Sequence, residues 1–112
     1  MKRGLERRLY PRRRARIKIV FKDEFGDGLI ALWSEDISVG GIFIASDIPI
    51  RVGSYVFLSF SLPDSGDEIN ATGQIVRVAK KGEGEESERE GIGIRFVGLS
   101  AAATEAIRRF VS

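Results

Sequence analysis

Two short stretches hold the side chains of this 112-residue sequence that are best suited to gripping a ligand. Arg7, Arg8 and Arg12 fall within Arg7-Arg8-Leu9-Tyr10-Pro11-Arg12, and Asp36, Ser38, Gly40 and Gly41 fall within Asp36-Ile37-Ser38-Val39-Gly40-Gly41. A guanidinium is a planar fork of N–H donors. It can hold a phosphate through two parallel hydrogen bonds, present two donors to O6 and N7 of a guanine, or stack its flat face on a purine. An ionised Asp36 offers acceptors alone, which suits a pair of N–H donors on a ligand, and Ser38 adds a hydroxyl. Gly40 and Gly41 would let the backbone come close to a bound molecule. Each residue also has a plainer assignment. Asp36 and Ser38 can cap their own turn, the arginines can form a solvated arm, and the two glycines can simply bend a strand.

Composition narrows the chemistry. Histidine and cysteine are both absent, which removes zinc sites of the usual kind, disulfides, and Ser-His or Cys-His catalytic pairs. Ser38 beside Asp36 lacks a base, and Lys18, Lys22, Lys80 and Lys81 have no apolar pocket in view that would depress a pKa. Catalysis is therefore not expected, and neither is a metal or a cofactor. The net charge of +2 conceals an uneven distribution. Residues 1–16 carry eight cations and one acid, and the remainder carries ten cations and fifteen acids. A basic arm on a mildly acidic body suits an anion such as a phosphate, a nucleic acid or an anionic lipid. With no apolar run near the roughly 20 residues of a membrane span and no secretory stretch, the chain is expected to be soluble and cytoplasmic.

The elements that must position these residues read as strands. Ile17, Ile19 and Phe21 alternate on a first strand, and Phe25-Gly26-Asp27-Gly28 turns the chain into a second running to Ile37. A third strand spans Ile42 to Ala45. Val56, Leu58, Phe60 and Leu62 alternate with Phe57, Ser59 and Ser61 on a fourth. Pro63 to Asp67 is a turn cluster, Ile69 to Ala79 a long fifth strand with a bulge or bend expected at Gly73, and Ile92, Ile94 and Phe96 mark a sixth. The acidic run Glu83, Glu85, Glu86, Glu88 and Glu90 lacks the mixed Asp/Asn/Gly spacing of a calcium loop and suits a solvated loop tip. Ser100 can cap a closing helix whose Ala103, Ile107 and Phe110 share a face with Leu99. Trp33, Phe43 and Tyr55 are assigned to core packing or sheet-surface burial. The expected architecture is mainly β: a six-stranded antiparallel barrel over residues 15–112 with a short C-terminal α-helix, preceded by a flexible basic arm over residues 1–14.

Taken in order, the two stretches resemble the PilZ domain family. That family is marked by an RxxxR pair in an N-terminal loop and a D/N-x-S-x-x-G motif some twenty to thirty residues later, on a six-stranded barrel of split-barrel type. Arg8 and Arg12 match the first motif, and Asp36, Ser38 and Gly41 match the second. Arg12 with Arg16 is an alternative register, ranked second because it sets the pair inside the first strand. Either motif alone is weak; their order, separation and strand context carry the resemblance, which extends over nearly the whole chain.

The resemblance implies a receptor for cyclic diguanylate (c-di-GMP), a ligand with two phosphates and two guanines, whose binding would order the arginine arm against the barrel and change the surface offered to a downstream protein. A basic residue at the position of Arg7 goes with two ligands per site in such proteins, so two per chain are expected. The chief rival is single-stranded nucleic acid tracking along the basic arm, which requires exposed stacking aromatics; no aromatic row clearly outside the core is visible in the sequence, so this remains the minority reading. A further alternative is an adaptor that binds protein alone, against which the intact motif residues argue.

Overall fold

The computed structural model of the chain describes residues 11–23, 29–79 and 90–112. Arg7, Arg8, Tyr10, the Phe25 to Gly28 turn and the glutamates from Glu83 to Glu88 lie outside the described residues.

Among the described residues, seven strands and one helix form in the order β1 (Arg13–Arg14), β2 (Lys18–Asp23), β3 (Ile30–Ile37), β4 (Gly41–Ala45), β5 (Tyr55–Ser61), β6 (Glu68–Ala79), β7 (Gly91–Gly98) and α1 (Ala101–Val111). All pairings are antiparallel, in the order β3-β2-β5-β6-β7-β4, and β4 pairs back onto β3 to close a six-stranded barrel. Closure removes the open edges that a sheet of this size would otherwise present. The expected mainly β barrel with its C-terminal helix is the architecture observed. Its addition is β1, a two-residue strand that extends the β2 side of β3 by pairing Arg13 with Ile37 and Arg14 with Asp36.

Inside, the alternation of the strands delivers one apolar set. Ile19 and Phe21 from β2, Val56, Leu58 and Phe60 from β5, Ile69 and Ile75 from β6, and Ile92 and Ile94 from β7 are all buried in a single cluster. The Ser100 hydroxyl caps α1 by accepting from the Ala103 N–H at 3.0 Å, and Arg108 and Arg109 occupy the last turn, where cations suit the helix dipole. Ala103, Ala106, Ile107 and Phe110 add the buried face of the helix to the barrel core. Arg13 joins the helix to β1. Its Nη1 donates to the Phe110 carbonyl at 2.8 Å, and its guanidinium lies 4.0 Å from the Phe110 ring centroid.

The sheet is irregular at one place that matters for function. Against β4 the register passes from Ser34↔Ile44 to Asp36↔Phe43, so Glu35 is an extra residue. On the opposite edge of β3, Arg14 pairs with Asp36 and Lys18 with Trp33, which leaves one extra residue on the β1–β2 side. A bulge shifts the phase of the following side chains. Ser34 is buried, and beyond Glu35 it is Ile37 that turns inward while Asp36 turns outward. Register shifts also occur at Thr72/Gly73 and at Ile75/Arg77 against β7, the first at the expected Gly73.

Candidate functional site

The break between β1 and β2 is stitched by one buried hydroxyl. Ser34 Oγ accepts from the Ile17 N–H at 2.9 Å and donates to the Ala15 carbonyl at 2.6 Å, and the Ser34 N–H donates to the Ile17 carbonyl at 2.9 Å. These bonds satisfy backbone groups that the irregularity would otherwise leave buried and unpaired. They also fix where the chain preceding Ala15 crosses the end of β3, and so set the position of Arg12.

Arg12 reaches over the outer face of the barrel to Asp36. Its Nε donates to Asp36 Oδ1 at 2.9 Å and its Nη2 to the same oxygen at 2.5 Å, while Nη1 donates to Ser38 Oγ at 3.3 Å. Three of the five N–H groups of the guanidinium are engaged, one from each nitrogen. Residues 24 and 26 positions apart in the sequence thus meet in one polar cluster. The Arg12 side chain is 37% exposed and that of Asp36 14% exposed, so the pair lies at the surface with its carboxylate recessed.

Ser38 is fully buried. Its Oγ accepts from the N–H groups of Gly40 at 3.0 Å and Gly41 at 3.3 Å, and its N–H donates to the Gly41 carbonyl at 2.9 Å. The turn-capping assignment for Ser38 therefore holds, and the same oxygen also receives Arg12. Gly40 accepts from the Phe96 N–H at 3.0 Å, which binds the turn to β7. At Gly41 the demand for glycine comes from the fold: a Cβ there would stand 2.2 Å from the Ile94 carbonyl oxygen. The turn is consequently pressed against β7 as tightly as backbone allows.

The structure thus brings together Arg12, Asp36, Ser38, Gly40 and Gly41, while Arg7 and Arg8 lie outside the described residues. Arg12 is common to both arginine registers. Arg16 is directed elsewhere, with its guanidinium 4.4 Å from the ring centroid of Trp33 on β3. Arg14, Ala15, Arg16, Trp33, Ser34, Glu35 and Ala45 line a shallow groove continuous with this stack.

The aromatic residues require a correction. Trp33 is 41% exposed and Tyr55 45% exposed, so both stand on the outer surface and neither is a core residue. Phe57, two residues along β5 from Tyr55, is 44% exposed on the same face. Phe43 is only 6% exposed yet does not belong to the core cluster that includes its neighbours Ile42 and Ile44. Its ring is buried on the outside of the barrel, the sheet-surface case. Motif spacing marks neither Ser34 nor Arg13; the signal for Ser34 is a lone hydroxyl on an otherwise apolar inward phase.

Among the described residues no helix is long and apolar enough to cross a membrane. No curated protein sequence matches the chain. Solved structures with the same fold include the inhibitor of motility MotI/DgrA of Bacillus subtilis, at 21% identity and a TM-score of 0.77, covering 91% of this chain and 48% of that one. They also include the PilZ domain of CeSA from a cellulose-synthesizing bacterium, at 18% identity and a TM-score of 0.63, covering 89% and 93%. A third is the PilZ domain of YcgR from Escherichia coli, solved with c-di-GMP, at 17% identity and a TM-score of 0.68, covering 94% and 88%. This chain spans about half the length of the first of these, MotI/DgrA. The family model for the PilZ domain matches residues 6–112, which takes in the barrel, the helix and both motifs, and the chain belongs to the PilZ domain family.

Proposed function

We propose that this chain is a c-di-GMP receptor that works by binding and shape change. The observation that carries the reading is the Arg12–Asp36–Ser38 cluster, in which the two motifs of the family meet on the outer face of the barrel. The c-di-GMP bound to the PilZ domain of YcgR supports the ligand class. Asp36 holds the Arg12 guanidinium flat and oriented, leaving two of its N–H groups and a planar face for a phosphate or a guanine. Part of the ordering cost of a long side chain is thereby met before the ligand arrives. Asp36 supplies acceptors for the N1 and N2 hydrogens of a guanine. Ser38, being buried, serves the site by holding the turn and Arg12.

Arg7 and Arg8 complete the basic arm. Because Arg12 to Arg14 already lie on the barrel, ligand draws the part of the basic arm that precedes Pro11 against it beside Asp36, and the altered surface is read by a downstream protein. Two ligands bind per chain, the second held by stacking on Arg7, and Arg7→Leu reduces the count to one. Hydrogen bonds to charged groups contribute about 1.5–3 kcal/mol each, so a few of them support micromolar binding after ordering costs.

Calorimetric titration with c-di-GMP, against GTP and a short single-stranded oligonucleotide, tests the reading. The expected result is saturable binding of c-di-GMP near two per chain, with Arg12→Ala weakening it by about 100-fold or more, the loss of roughly two charge-assisted hydrogen bonds. Half-exposed Tyr55 and Phe57 give the nucleic-acid rival more footing than the sequence offered, and the oligonucleotide arm answers it. Oligonucleotide binding with a steep salt dependence and no response to c-di-GMP would replace the receptor reading.

A further inference from the structure

A single row of paired residues crosses five strands on the outer face of the barrel and passes through Asp36. Arg14 pairs with Asp36, Asp36 with Phe43, Phe43 with Gly93, and Gly93 with Arg77. Residues paired directly across a sheet project to the same side, so the row has an arginine at each end with Asp36 and a phenyl ring between.

The middle of this row is low ground. Gly93 has no side chain, and the Phe43 ring lies down against β7 closely enough that a Cβ on Gly91 would come within 2.4 Å of its Cζ. Beyond it, Arg77 is exposed, with its guanidinium carbon 5.8 Å from the Phe43 ring centroid. That contact is of cation–π length. Among the described residues Arg77 has no carboxylate partner. Among the described residues its guanidinium N–H groups meet no acceptor, whereas three of the five on Arg12 are engaged.

We infer that Arg77 is a further ligand-binding residue, forming the far wall of the site opposite Arg12 and Asp36 and taking the second guanine or a phosphate of the cyclic dinucleotide. The inference rests on the receptor reading above. The ligand has two like halves, and when one guanine is held at Arg12 and Asp36 the other half needs a surface on the same face. The row leads from Asp36 past the buried Phe43 ring and the side-chain-free Gly93 to the planar donor of Arg77, while the β1–β2 side is occupied by the Arg16–Trp33 stack. Arg77 lies 41 residues from Asp36 and in neither motif, so sequence spacing does not reveal it.

The test is calorimetric titration of Arg77→Ala, Arg77→Lys and, as a charge-matched control on the exposed side of α1, Arg109→Ala with c-di-GMP. Arg77→Ala is expected to weaken binding by about tenfold or more, as for loss of one charge-assisted hydrogen bond, with an unchanged melting temperature. Arg77→Lys recovers only part, because an ammonium lacks the planar fork, and Arg109→Ala stays within about twofold of the parent. Tight parent binding that Arg77→Ala leaves within about twofold overturns this inference alone. Failure of the parent to bind c-di-GMP overturns the receptor reading and this inference with it.

Discussion

Two parts of the same barrel are built on opposite plans. Along β5 and β6, seven successive pairs run from Tyr55↔Gln74 to Ser61↔Glu68 without interruption, and the burial of β5 alternates strictly. Around β3, the register slips on both edges within the three residues from Ser34 to Asp36. In the regular ladder each side chain of β5 faces where a period of two puts it, and the paired backbone groups satisfy one another without help from side chains. In the irregular corner the backbone leaves gaps that Ser34 and Ser38 fill with side-chain bonds, and the phase change turns Asp36 outward toward Arg12. The regular part supplies the core. The irregular part supplies the site, and its geometry depends on single residues more steeply.

The contrast is testable by substitution, beginning with the most severe. Gly41→Ala places a methyl group 2.2 Å from the Ile94 carbonyl oxygen, a backbone atom held in the β4–β7 ladder. Overpacking of this kind is expected to cost about 3 kcal/mol, the upper end of such effects, seen as a lowered urea midpoint with an unchanged slope. A midpoint indistinguishable from the parent would mean that β4 and β7 separate easily, and that the turn at Ser38 is not held by close strand contact.

Ser34→Ala comes next. It removes an acceptor from the Ile17 N–H and a donor from the Ala15 carbonyl, both at a site where Ser34 is 2% exposed. Stranding such groups is expected to cost about 2 kcal/mol in urea unfolding. Because the same bonds place Arg12, affinity for c-di-GMP should fall as well, although Ser34 touches no ligand. Loss of stability without loss of affinity would show that Arg12 finds Asp36 independently of the stitch.

The same contrast explains what could be read without coordinates. The strands from Ile17, Val56, Ile69 and Ile92 and the cap at Ser100 follow from alternation and from helix-terminus chemistry, because each of those segments opens on a run of alternating apolar residues or a capping side chain. The meeting of Arg12 with Asp36 and Ser38 was legible too, through the order of two motifs. Three things were not. Arg13–Arg14 has no apolar alternation to mark it as β1, and its pairing is imposed by β3. Trp33 and Tyr55 look like core residues by composition, yet the face a strand residue occupies is set by register, and a slip of one residue reverses it. For Phe43 the sequence leaves core packing and sheet-surface burial both open, and the choice is made by the glycines of β7, brought beside its ring only by barrel closure.

The smallest expected effect belongs to the regular ladder. Ser59 lies on the outer face of β5, where its Oγ donates to Asn70 Oδ1 across the β5–β6 pair at 2.7 Å. The bond is shorter than either side-chain hydrogen bond of Ser38 to its turn, and distance alone would rank it as more valuable. Exposure argues the reverse. When Ser59 is replaced by alanine, water takes over the Asn70 amide oxygen and no backbone group loses a partner, so the change should stay within about 0.5 kcal/mol in urea unfolding and leave c-di-GMP affinity intact. If Ser59→Ala instead costs as much as Ser34→Ala, burial of stranded backbone groups is not what distinguishes the two regions, and the sensitivity of the site corner must come from strand packing at Gly41.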